Sequence, residues 1–377
     1  MAPPSSTDLL SKSASLRALA ARFTEAIPSA LLEQFTEPAE TDPLAVLADA
    51  PKVFKAQATK AGLLLVNKPF TPSAIHGILQ DLEGRVVPAL FASSAQVFGR
   101  KVILGEHFAN EVTDLLKDVL GSVGILMDAV DGTVKGMVSK EGVMVAVGKV
   151  YSACDELVAL ANGGVVALLM RKVKSQMELI EDAISELQEW EEESDDGDSD
   201  EEEDEAENQD AASEQDRERS LEELTGGLSL DTPDRVPKKR ADILRLVKGA
   251  CPQASLINKL LIAMSKRRIK RFSSQSPPFA TEEAKAAQIE GIETLSEVVK
   301  LTYSIQSNFD EFAASLYDLD AEQAEIYLGV VTGNADTITQ LIFKTWDGKE
   351  DEFTEWLRTW RRMMGKASIE RTQASNS

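Results

Sequence analysis

Between Leu104 and Val130, apolar residues return at intervals of 4, 4, 3, 4, 4, 3 and 4: Leu104, Phe108, Val112, Leu115, Val119, Val123, Leu126 and Val130. An α-helix of 3.6 residues per turn places all eight on one face, and no strand can do so. Leu116, Leu120 and Met127 widen that face beyond the seam of a two-stranded coil, which predicts a helical bundle. The rhythm returns in Val166, Leu169, Val173, Met177, Ile180, Ile184 and Leu187. A chain with seams of this length is all-α.

The remaining segments repeat the signal. Leu9, Leu16, Leu19, Phe23 and Ile27 mark an opening helix that Pro28 interrupts. Asp42-Pro43 and Thr71-Pro72 each set a capping side chain before a proline at the first helical position, where the missing N–H costs nothing. Pro88 is expected to kink the helix that follows Pro72. Residues 134–150 are rich in Val and Gly and could be read as a strand, but without partner strands they are assigned to helix. Further on, Cys251-Pro252 is expected to separate one helix from the next, and Thr281 with Glu282 and Glu283 to open another. The apolar runs fall short of the roughly 18–20 residues of a membrane span, and the first residues lack a secretory pattern.

Charge divides the chain. Of the net −23 over 377 residues, −18 lies between positions 189 and 223, leaving −5 for everything else. Such a self-repelling tract, almost without apolar residues, predicts a disordered acidic linker between helical parts. The expected organisation is an N-terminal helical bundle over residues 1–188, the linker over 189–235, a C-terminal helical region over 236–366 and a disordered tail over 367–377. The bundles are expected to be antiparallel.

Catalysis has little to stand on. The two histidines, His76 and His107, fall on separate predicted helices, and the two cysteines, Cys154 and Cys251, are too few for a disulfide framework. No ligand cluster, phosphate-cradling loop or nucleophile motif emerges, so no catalytic, metal-ligating or cofactor-binding residue is assigned, and the chain is expected not to be an enzyme. A net negative chain is also a poor phosphate tracker, so direct nucleic-acid binding is not expected.

Three features carry a functional reading beside a plain one. The acidic tract is a solubilising linker or a docking arm for basic partners. Within it Ser199, followed by Asp200, Glu201 and Glu202, and Ser213, with Asp216 three residues on, are candidate sites for an acidophilic kinase. Lys266, Arg267, Arg268, Lys270 and Arg271 form a candidate nuclear-import cluster, or a solvated last helical turn favoured by the helix dipole. Phe353, Trp356 and Trp360 share a helix face, as partner-binding aromatics or as packing for the chain's own bundle.

Several stretches together resemble the cyclin-D-binding (GCIP-like) family. They are residues 56–65 (Ala-Gln-Ala-Thr-Lys-Ala-Gly-Leu-Leu-Leu), 67–74 (Asn-Lys-Pro-Phe-Thr-Pro-Ser-Ala), 148–157 (Gly-Lys-Val-Tyr-Ser-Ala-Cys-Asp-Glu-Leu) and 309–317 (Phe-Asp-Glu-Phe-Ala-Ala-Ser-Leu-Tyr). The resemblance implies an all-helical, noncatalytic adaptor that moves between cytoplasm and nucleus. Its implied partners are proteins, of cyclin or transcription-regulator type, with no membrane and no cofactor. No catalytic residues carry over. Two other classes fit the residues: a vinculin-like cytoskeletal or scaffold bundle, and an acidic-arm chaperone for basic proteins.

Overall fold

In chain order, a computed structural model describes residues 4–27, 42–195, 240–273 and 281–375. The helices are α1 (Ser6–Ala26), α2 (Pro43–Val66), α3 (Pro72–Asp81), α4 (Val87–Gly99), α5 (Lys101–Leu104), α6 (Glu106–Val134), α7 (Lys140–Asp195), α8 (Ala241–Arg267), α9 (Glu282–Tyr317), α10 (Ala321–Leu341) and α11 (Glu352–Ser375). Among the described residues there is no strand, so the all-α reading holds.

The chain divides into two compact units. One comprises Met1–Lys172 and Ile269–Glu297; the other comprises Val173–Arg268 and Val298–Ser377. This partition departs from the expected boundary near residue 188, because each unit takes helical segments from both sides of the acidic tract. The tract itself lies largely outside the described residues. The expected tail also shortens: α11 runs to Ser375. Its late turns pack on α8, where Gly249 leaves room for the Arg371 stem, and Gln253 Nε2 donates to Ala367 O at 3.4 Å.

In the first unit α1 lies against α6 and α3, while α4 packs on both α2 and α6. The long seam is buried on α6 as expected, with one exception in its register. Leu104 belongs to α5, and Gly105, at φ +88°, separates it from α6. The two expected caps differ. Asp42 accepts from Leu44 N at 3.1 Å, whereas the Thr71 hydroxyl turns back and donates to Pro69 O at 3.2 Å. The expected kink at Pro88 appears as a π-helical turn over Leu82–Val86 just ahead of it. Widening that turn is one way to absorb a proline that cannot donate to the helix ladder.

Residues 134–150 resolve into the end of α6, a turn and the start of α7. Helix α7 is broken at Gly164, where φ 63° and ψ −168° lie in a region essentially reserved for glycine. Gly164→Ala is expected to cost about 1–3 kcal/mol in urea unfolding; a loss below about 0.5 kcal/mol would show that the break tolerates a side chain. By length and composition α7 also contains a segment apolar enough to cross a membrane, with mean hydropathy 1.6. Uninterrupted runs miss this, because alanine and glycine dilute the apolar residues without adding charge.

In the second unit α8 packs against α11 and α10. The expected break at Cys251-Pro252 does not occur: Pro252 sits inside the continuous α8. Burial of Ile243, Leu246, Val247 and Ala250 before it, and of Ala254, Ile257, Leu260 and Leu261 after it, keeps one apolar face in register across the lost hydrogen bond. The α7 seam continues past Leu187 to Trp190, buried edge-on against Tyr317 of α9 at 5.1 Å.

Candidate functional site

Two of the family-like stretches, far apart in sequence, meet in the first unit. Residues 56–65 lie on α2 and residues 148–157 on α7, and the helices run antiparallel where they touch. The Thr59 and Tyr151 hydroxyls hydrogen-bond at 2.8 Å. Lys55 pairs with Asp155 and places its ammonium 4.3 Å from the Tyr151 ring centroid. One turn further on, Gly62 matters through what it lacks: a Cβ there would stand 2.8 Å from Val147 Cγ2. Cys154 closes the seam from inside with no exposed surface. The resemblance therefore maps to a packed helix–helix seam with a polar outer rim.

Both thiols are packing groups. Burial pushes Cys154 and Cys251 up to about 12, which keeps each protonated and weakly nucleophilic at neutral pH. Neither is expected to react with a thiol reagent in the native protein at pH 7.5, and both should react once it is unfolded in guanidinium. Rapid native labelling would contradict their burial. His76 on α3 and His107 on α6 are half-buried and belong to separate helices, as anticipated. Among the described residues no group of three or more His, Cys, Asp or Glu side chains could hold a metal ion. An open concavity of about 590 Å³ between α2 and α3 is lined by Gln57, Lys60, Asp81 and Arg85 among others. Its carboxylate is already engaged, since Asp81 accepts from Gln57 Nε2 at 2.6 Å and from the Arg85 guanidinium.

The second unit redistributes the basic cluster. Lys266, Arg267, Lys270 and Arg271 are exposed, but Arg268 is 1 % exposed. Its Nε donates to Ile342 O at 2.9 Å, and its two terminal nitrogens grip Asp351 at 2.9 and 2.8 Å. The guanidinium lies 4.7 Å from the Phe353 ring centroid. Arg268 thus joins the end of α8 to the last carbonyls of α10 and the start of α11, and an import receptor could read only the other four cations. The guanidinium hydrogen bonds hold the Asp351 carboxyl far below the ordinary range, against the opposing effect of burial. Nothing local marks this pair, because its members stand 83 residues apart.

The aromatic stripe is also turned inward. Phe353 and Trp360 are buried, and Trp360 Nε1 donates to Leu256 O on α8 at 2.7 Å. Trp356 is half-buried and stacks on Phe353 with 5.5 Å between centroids. Of the three candidate partner-binding aromatics, Trp356 alone keeps appreciable exposed surface. Ser199 and Ser213 lie outside the described residues. Trp190 falls beyond the expected end of the N-terminal bundle, yet it is legible in the sequence as an aromatic three residues after Leu187 on the same seam.

What the fold and these surfaces define is a helical-bundle protein whose distinctive residues make helix–helix contacts. Residues 46–193 match the family described as Grap2 and cyclin-D-interacting, N-terminal, so that span is similar to GCIP-like proteins. It is also similar to an uncharacterized protein of Schizosaccharomyces pombe, with 20 % identity over 338 residues, covering 89 % of this chain and 85 % of that one. No solved structure matches it.

Proposed function

We propose that the chain is a noncatalytic adaptor that binds a regulator of the D-type cyclin class and works in both cytoplasm and nucleus. The observation that carries this reading is the family match over residues 46–193, which takes in both halves of the α2–α7 seam. The helical surfaces supply contact area, and the acidic tract adjusts encounter with charged partners, a contribution that salt should weaken. Immobilised full-length protein should retain a D-type cyclin from the same organism at about 0.15 M salt. Failure of the folded protein to retain any D-type cyclin would remove the basis of the reading. Import through Lys266, Arg267, Lys270 and Arg271 predicts that replacing all four with alanine leaves a fluorescent fusion in the cytoplasm.

A further inference from the structure

At one end of the first unit the α6–α7 turn, the first turns of α7 and the end of α2 come together. Val138 is clamped inside the turn: a Cβ at Gly132 would stand 2.2 Å from its Cγ2, and one at Gly142 would stand 3.0 Å from its Cγ1. Gly62 in turn admits Val147 and Val143 against α2. With those residues facing in, their neighbours face out. Met137 is 79 % exposed, Met144 69 %, Val145 62 % and Leu63 58 %. Side chains this exposed stand proud of the surface, whereas the lining of a peptide groove would be shielded by its walls.

The charge around them is opposite to that of the chain as a whole. Residues 60–70 and 135–149 contain five lysines and one carboxylate, Glu141, in a protein of net charge −23. Lys135 stands two residues before Met137, Lys140 one turn before Met144 and Lys149 one turn after Val145, all exposed. Protruding apolar side chains ringed by lysines suit an interface that is apolar a few ångströms deep and anionic at its surface.

We propose that this tip docks on anionic phospholipid membranes, with Met137, Met144, Val145 and Leu63 entering the headgroup region and Lys135, Lys140 and Lys149 pairing with lipid phosphates and carboxylates. A few apolar side chains hold a protein on a bilayer only when a basic patch adds to them, and the tip supplies both. The test is co-sedimentation of the full-length protein with vesicles of equimolar phosphatidylserine and phosphatidylcholine, against pure phosphatidylcholine, at about 0.1 M salt. The phosphatidylserine vesicles should bind the protein about 100-fold more tightly, near fivefold for each of the three lysines. Lys140→Gln with Lys149→Gln should lower that binding about 25-fold, near fivefold per lysine. Met137→Asp with Met144→Asp should reduce it to the phosphatidylcholine level. Lys259→Glu, at an exposed position on α8, should change it less than about twofold. Circular dichroism of each variant verifies its helicity. Equal uptake by both vesicle types overturns the proposal, as do tip variants that bind like the wild type. Tip variants that keep vesicle binding but lose a protein partner would assign the tip to protein contact and overturn it as well.

Discussion

Replacing Arg268 with Met is expected to lower the free energy of unfolding by about 3–5 kcal/mol, the cost of removing one partner from a buried, hydrogen-bonded ion pair. The arginine is almost fully buried and the Asp351 side chain is 25 % exposed, so water replaces the lost guanidinium only in part. The carbonyl of Ile342 loses its donor in the same step, and that of Phe343 keeps the Thr354 hydroxyl. Arg268→Lys should recover less than half of the loss, because an ammonium cannot donate a parallel pair of bonds to Asp351 while also reaching a carbonyl. Chemical denaturation of the three proteins decides the matter. A loss under about 1 kcal/mol for the Met variant would mean that the pair behaves as an exposed one.

The same pair predicts a pH dependence of definite sign. The folded-state pKa of Asp351 is depressed, so its stabilisation is present above the unfolded carboxyl value, about 3.9, and is lost as pH falls through the folded value. Unfolding profiles of the wild type should therefore decline below about pH 4 more steeply than those of the Met variant. Parallel profiles would remove Asp351 from the acid transition.

Trp360→Ala is the second large effect, expected to cost about 3–5 kcal/mol. The indole is 2 % exposed between α8 and α11, and its N–H satisfies Leu256 O across the interface. Trp360→Phe keeps much of the apolar surface and removes the donor, and should cost about 1–3 kcal/mol. Trp356→Ala, at a half-buried position one turn earlier, should cost under about 1.5 kcal/mol. If the Trp360 and Trp356 variants unfolded at the same denaturant concentration, the inward orientation of the stripe would be wrong. A partner-binding role would show the reverse pattern, with stability unchanged and binding lost.

These expectations separate what was legible along the chain from what was not. The α6 seam could be read residue by residue, since a helix that buries one face must repeat it every three or four positions. The helix start at Asp42 was equally plain. Thr71 shows the limit of such reading: the residue is right for a cap, but its hydroxyl finds a carbonyl in its own loop and leaves the helix end alone. Pro252 shows another limit, because a proline signals a break only while the helix lacks tertiary support, and α8 has an apolar face buried on both sides of it. The candidate residues fared according to how local their evidence was. The cations at 266, 267, 270 and 271 are exposed, as either reading of a basic run requires. Arg268 looks the same in sequence, yet is claimed by an aspartate 83 positions away.

The sequence by itself determined that this protein is all-helical, which faces of its helices are apolar and that most of its negative charge sits in one tract. Those are consequences of periodicity and composition, both local. Only the tertiary structure decided that residues 269–297 join the N-terminal unit and residues 173–195 the other, because which apolar faces pair is a matter of long-range fit. It also decided which members of a charged or aromatic run are spent on the core. A side chain's role depends on what lies across from it, and in this fold the residues across from Arg268, Trp360 and Tyr151 come from distant segments of the chain.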